Sequence, residues 1–275
     1  MLQKANARFN WSNVALFCGY MFLYFPLICI VIYSFNESRF VNTWSRFSLK
    51  WYRALFSNPI ILRAALTSLK IAAFSATVSV VIGTIAAIVI VRFRRFKGKS
   101  LFFGAMTAPM IMPEVVMGLS LLMLFTAMEK VLGWPSGGGT LTVTIAHITL
   151  TVSYVTMIVQ VRLQDFDRSL EEAALDLGAS PLKVFFVITL PLISPSIILG
   201  WLLAFALSLD DVAIASFVAG PGATTLPMVV FSTLRFGISP EINALATILM
   251  AVLSSGAVVG ALLIRKKNTQ TKDVN

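Results

Sequence analysis

Long apolar runs separated by short polar segments make up most of the chain, and that pattern predicts its elements. Val14 to Phe35, Ala64 to Val91, Leu101 to Leu132, Leu141 to Val161, Leu192 to about Phe217 and about Ile242 to Ile264 are predominantly apolar. A helix of about 20 such residues crosses the roughly 30 Å hydrocarbon core of a bilayer. The expectation is an all-α integral membrane protein: one domain over 1–275 with six transmembrane helices. The first run is too long for the apolar region of a secretory signal and no small-x-small cleavage site follows it, so it reads as a retained span. Pro109 and Pro113 interrupt the third run, and Glu114 follows the second proline directly. Aromatics cluster from Trp44 to Phe56, as in segments that lie along a membrane surface.

One polar island breaks the pattern between the fourth and fifth runs: Ser169 to Pro191, SLEEAALDLGASPLKVFFVITLP. It reads as helix, sharp turn, helix. Ser169 caps the first helix, with Glu172 three residues later closing a capping box. Gly178 ends that helix where a positive φ is needed. Ser180 caps the second helix and Pro181 takes its first position. Leu182, Val184, Phe185, Phe186, Val187 and Ile188 make the second helix apolar, and Pro191 marks entry to the next span.

Composition narrows the class. The 275 residues are 57% hydrophobic and 12% charged, with mean hydropathy +0.86; soluble domains carry about a quarter charged residues. The net charge of +10 reads as loop bias rather than a nucleic-acid footprint. With both termini inside, the inner segments hold 14 of the 22 Lys and Arg, most densely in the RFRRFKGK turn from Arg92 to Lys99. Cys18 and Cys29 both fall in the first apolar run and form no disulfide framework. His147, the only histidine, lies in an apolar span and reads as a packed or hydrogen-bonded residue, not a metal ligand. No G-x-x-x-x-G-K-[ST] occurs, so ATP-driven work would take its nucleotide site from another chain.

Three acids, Glu114, Asp210 and Asp211, are embedded in apolar sequence. Each costs about 2.5–3.5 kcal/mol in hydrocarbon, so such residues face a cavity or a partner. Asp210 lies roughly 27 Å beyond Leu192 if helical, and Glu114 roughly 20 Å beyond Leu101. Both therefore fall between midplane and outer face, where they border one cavity with a negative field suited to a cation. A local role is open at each: Glu114 fits the N-terminus of a renewed helix, and the aspartates fit a cap on Val212–Phe217. Adjacent helical residues point about 100° apart, so only one aspartate faces a given cavity. In the island, residues 162–191 carry five acids against Arg162, Arg168 and Lys183, which implies a basic partner groove.

Glu172-Ala173-Ala174, then Gly178 after three residues, then Ile188, Leu190 and Pro191, resembles the EAA loop of binding-protein-dependent ABC importer permeases. That resemblance implies a type I ABC importer permease-like fold with a cytoplasmic coupling-helix loop over 162–191. Glu172, Ala173, Ala174, Asp176, Gly178, Ser180, Pro181, Ile188, Leu190 and Pro191 would then couple to a cytoplasmic ATPase. LSLDDVAIASF from Leu207, AGPGATTLPMVVFS from Ala219 and SPEINALAT from Ser239 are similar to the polyamine branch, in particular to second permease subunits of putrescine importers, with spermidine importers as near relatives. The resemblance implies a multi-pass subunit of the bacterial inner membrane, both termini cytoplasmic, and not itself an enzyme. It implies a second homologous permease in a heterodimer, two ATPase copies and a periplasmic polyamine-binding protein. ATP and Mg would sit on the ATPase, with no cofactor in this chain, no nucleic acid, and lipid as the remaining partner. Transport would run by alternating access. The 219–226 segment would face the binding protein or serve as an external connector. Two other classes compete. An ion-coupled secondary transporter would use Asp210 and Glu114 for its ion but has no need of a docking loop. A membrane aspartic protease would need Asp210 and Asp211 to share a proton, which diverging neighbours fit poorly.

Overall fold

A computed structural model describes residues 11–40, 43–93, 95–235, 240–252 and 254–255. Those residues are helical apart from turns and one isolated bridge, Asn36 to Phe47. The helices are α1 (Trp11–Ser34), α2 (Lys50–Ser57), α3 (Pro59–Arg92), α4 (Lys99–Ile111), α5 (Glu114–Leu132), α6 (Thr140–Gln164), α7 (Ser169–Asp176), α8 (Pro181–Val184), α9 (Leu190–Asp210), α10 (Ala213–Val218) and α11 (Leu226–Arg235). An apolar helix, α12, covers Pro240–Val252. Five stretches are long and apolar enough to cross a membrane: Val14–Ser34, Pro59–Arg92, Glu114–Leu132, Thr140–Gln164 and Pro181–Asp210. The first half of the expected sixth span, to Val252, lies in α12, and residues 256–264 fall outside the described residues.

The described residues of 1–59 and 233–275 form one compact unit and those of 60–232 another. In the first, the aromatic segment folds into the amphipathic helix α2, which buries Trp51 and Leu55. Asn36 organises the preceding turn: its Oδ1 accepts from the Ser38 and Ser45 amides at 3.2 and 3.1 Å, and its carbonyl accepts from Trp51 Nε1 at 2.8 Å. Asn58 donates to Glu241 at 3.3 Å, which joins the two segments of this unit.

The second unit is built around α6. That helix is the most enclosed span, with 67% of its apolar window buried. Small residues on its neighbours explain the close packing: a Cβ on Gly83 would fall 2.8 Å from Val155 Cγ1, and one on Gly200 3.4 Å from the same methyl. Two apolar clusters result. One holds Ile71, Met117, Leu121, Val143, Leu150 and Ile214; the other holds Ala76, Val155, Val159, Leu163, Ile193 and Ala204. The helices thus have two ends: a turn end, carrying 133–139 and 219–225, and an island end, carrying 162–191.

Two of the apolar runs are broken into separate helices. The third becomes α4 and α5, because Pro113 cannot continue α4; Pro109 is accommodated inside it. The fifth stops at Asp210, and Asp211 takes extended backbone (φ −67°, ψ 125°) before α10 begins.

Candidate functional site

The island folds as two short helices around a turn. Gly178 has φ +84°, and the amides of Gly178 and Ala179 donate to the carbonyls of Leu175 and Ala174 at 2.9 and 3.1 Å. That is the paired bonding of a glycine-ended helix, and a side chain at this φ is strained. Ser180 caps α8 by accepting from the Lys183 amide at 3.4 Å, with Pro181 in the first turn. The start of α7 differs from the expectation. Ser169 is inside the helix, and its amide donates to Asp167 Oδ1 at 3.0 Å. A carboxylate is the stronger acceptor for a free helix amide, so it displaces the hydroxyl. That bond, with a second from the Ser169 side chain, holds the Asp167 carboxyl below the usual aspartate value. Glu172 closes no capping box and is exposed.

A wide π turn, Phe185–Thr189, follows α8. Pro191 has no N–H for the Val187 carbonyl and its ring crowds that position, which favours a widened turn just before it. Ile188 and Leu190 are half-buried, and Pro191 is exposed at the start of α9. The outward face carries Glu172, Ala173 and Asp176, with Ala174 half-buried beside them. It also carries Leu177 and Leu182, 89% and 73% exposed. The face is therefore acidic and apolar together.

Glu171 does something else. It is the one buried residue of α7, ion-paired through both carboxylate oxygens to the Arg92 guanidinium at the end of α3. Thr189 of the π turn donates to the same carboxylate. Burial pushes the Glu171 carboxyl up, but the bonds from Arg92 and Thr189 and the charges of Arg92 and Arg168 outweigh it and hold the group below its usual value. The outward acidic patch is correspondingly smaller than the sequence implies.

The second candidate region lies at the two helix breaks. α5 packs on α10: a Cβ on Gly118 would sit 2.7 Å from the Phe217 ring and 3.2 Å from Ile214 Cα. Both helices end at the turn end. There Thr142 donates to the Val218 carbonyl at 2.7 Å, and a Cβ on Gly220 would fall 1.8 Å from the Gly138 carbonyl oxygen. The contact of Gly118 with Ile214 sets the start of α10 beside the first turns of α5. Those starts are Glu114, exposed in the first turn of α5, and the Asp210–Asp211 break before α10.

The two aspartates part ways. Asp210 is exposed as the last residue of α9. Asp211 is 6% exposed and caps α10, its carboxylate accepting from the Ile214 and Ala215 amides at 3.2 and 2.8 Å. Its Oδ2 also lies 3.2 Å from His147 Nε2. His147 Nδ1 is 2.6 Å from Ser208 Oγ, which accepts from Ser75 at 3.1 Å. A proton on His147 Nε2 completes the chain from Ser75 through Ser208 and His147 to Asp211. The residue types are those of a hydrolase triad, but His147 is 0% exposed and Ser208 4%, so no substrate reaches the hydroxyl. The network pins α3, α6 and α9 to the break. The hydrogen-bonded reading of His147 and the cap open to the aspartates hold here, while Ser75 and Ser208 carried no sign beyond being small polar residues in apolar spans.

A cavity of about 610 Å³ opens beside α3 and α6, lined by Lys70, Phe74, Thr77, Thr140 and Thr144 among others. Its one charged group is a cation, and none of the three embedded acids lines it. No group of three or more His, Cys, Asp or Glu placed to hold a metal occurs among the described residues.

Residues 79–266 match the family described as binding-protein-dependent transport system inner membrane component. The chain belongs to this family. The permease is 52% identical over 268 residues to the putrescine transport system permease protein PotI of Escherichia coli K12, covering 97% of this chain and 95% of that one. It is 42% identical to the spermidine/putrescine transport system permease protein PotC of Haemophilus influenzae, covering 95% and 99%. The resemblance to polyamine-importer permeases thus runs along nearly the whole chain. Among solved structures, a bacterial ABC transporter involved in alginate import superposes with TM-score 0.67 at 14% identity, covering 92% of this chain and 94% of that one. A bacterial alginate ABC transporter in complex with an alginate pentasaccharide-bound periplasmic protein gives TM-score 0.68 at 15% identity, covering 91% of this chain and 92% of that one. The fold is that of ABC importer permeases.

Proposed function

We propose that this permease forms half of the translocation pathway of an ATP-driven polyamine importer whose substrate is putrescine. The observation that carries the reading is its 52% identity, over nearly full length, to a putrescine permease. Residues 162–191 face the cytoplasm with both termini, and their acidic and apolar face docks on an ATPase that holds ATP and Mg. A second permease completes a heterodimer, two ATPase copies drive it, and a periplasmic binding protein delivers substrate at the turn end. Asp210 and Glu114 offer carboxylates to the ammonium groups at the depth of the two breaks. Asp211 supports them as a positioning residue, since its own carboxylate is filled by His147 and two amides. ATP-driven closure moves the docked helices and switches which side of the membrane the acids face.

The test is uptake of labelled putrescine into proteoliposomes holding the complete transporter. The expected result is uptake that requires both ATP on the ATPase side and the binding protein. Uptake driven by an ion gradient without ATP would put the secondary-transporter reading in its place. Spermidine uptake without putrescine uptake would keep the mechanism and change the substrate.

A further inference from the structure

We propose that the Arg92–Glu171 ion pair is the internal clamp that makes the docking helix α7 move as one body with the membrane helix α3. The inference rests on the docking reading of residues 162–191 and names the residues that carry its force inward. Helix α7 has eight residues, too few to hold together alone, and its one buried anchor is a carboxylate rather than an apolar side chain. That carboxylate is gripped from two directions, by Arg92 on α3 and by Thr189 in the π turn leading to α9. Arg168, just before α7, donates to the Val91 carbonyl at 3.2 Å, a second link to the same end of α3. Beyond it, the two island helices bury a single apolar side chain, Val184 of α8, while Leu177 and Leu182 stand outward and nearly bare. A displacement of α7 therefore reaches α3 through this grip, while the chain itself ties the island to α6 and α9.

α3 then carries it on. Seventeen residues before Arg92, roughly 25 Å along the helix, Ser75 joins the buried chain Ser208–His147–Asp211 beneath the Asp210 break. One rigid helix thus touches both the clamp and the level of the embedded acids. Glu171 and Arg92 are positioning residues here, because neither meets substrate nor nucleotide.

The experiment uses the complete reconstituted transporter and reads putrescine taken up per ATP hydrolysed. The variants are Glu171→Gln, Arg92→Gln and the exchange Arg92→Glu with Glu171→Arg. The expected result is assembly with the ATPase in all three, a fall of about tenfold in uptake per ATP in the single variants, and substantial recovery in the exchange. Wild-type uptake per ATP in both single variants would overturn the clamp and leave the docking reading intact. Lost ATPase assembly in the single variants that the exchange does not restore would also overturn it, because the pair would then serve folding. Failure of the unmodified chain to assemble with any ATPase would instead remove the docking reading.

Discussion

Two acid doublets sit at opposite levels of this permease, Glu171–Glu172 in the island and Asp210–Asp211 at the end of α9, and they divide their work the same way. In each, one member is buried and filled by groups of its own chain. Glu171 takes Arg92 and Thr189; Asp211 takes His147 and two helix amides. The other member, Glu172 or Asp210, is exposed. Adjacent identical residues are therefore not interchangeable: one builds the surface and its neighbour presents charge on it. The partners differ with setting. Near the interface a guanidinium matches the carboxylate with two bonds; deeper, an imidazole and backbone amides do so without a permanently charged side chain.

Substitutions that break this division have graded consequences. Asp211→Ala strips His147 and two amides of their acceptor, at roughly 1–3 kcal/mol for each buried donor left unpaired. The expected outcome is loss of folded, assembled transporter, read by thermal unfolding in detergent and by co-purification; a wild-type unfolding midpoint would show that Asp211 is not structural. Gly178→Leu forces a side chain onto φ +84° at about 1–2 kcal/mol. ATPase-coupled uptake should fall about tenfold, and normal uptake would remove the island from coupling. Asp210→Asn should leave the unfolding midpoint unchanged while lowering uptake several-fold, so equal behaviour of Asp210→Asn and Asp211→Asn would dissolve the comparison. Glu172→Gln, at an exposed site, should weaken ATPase binding by no more than about 1 kcal/mol, an effect that shrinks with added salt.

The clamp also carries a pH signature. The Glu171 carboxyl is held below its ordinary value of 4.5 in the folded chain. Its contribution to stability is therefore complete above that value and is lost as pH falls through the lower, folded-state value. Unfolding midpoints of wild type and Glu171→Gln should differ by a constant amount from pH 6 to 8 and converge under acid. Curves that stay parallel into acid would show that the pair contributes nothing through charge.

The spans were legible because an apolar run of membrane length is rarely tolerated outside a bilayer, and Gly178, Ser180 and Pro181 were legible because each answers a local backbone need. Proline made the break at Pro113 visible too. The break at Asp210 showed only as the cap open to the aspartates on Val212–Phe217, since nothing between Leu209 and Val212 forbids a helix; the Asp211 bonds to the Ile214 and Ala215 amides make that cap real. Ser169 fits the cap by pattern, while Asp167 outcompetes it by charge. The ties of Glu171 to Arg92 and of His147 to Ser208 join residues 79 and 61 positions apart. No periodicity encodes such pairings. The acids stand out in the sequence as candidates for a partner, yet half of each doublet is filled from within.

The most direct test of the proposed transport cycle is ATP hydrolysis by the complex reconstituted with its binding protein, with and without putrescine, in wild type and Asp210→Asn. Wild type should be stimulated only when binding protein and putrescine are both present, and Asp210→Asn should respond weakly despite full assembly. Hydrolysis indifferent to putrescine in a fully assembled wild-type complex would contradict that cycle.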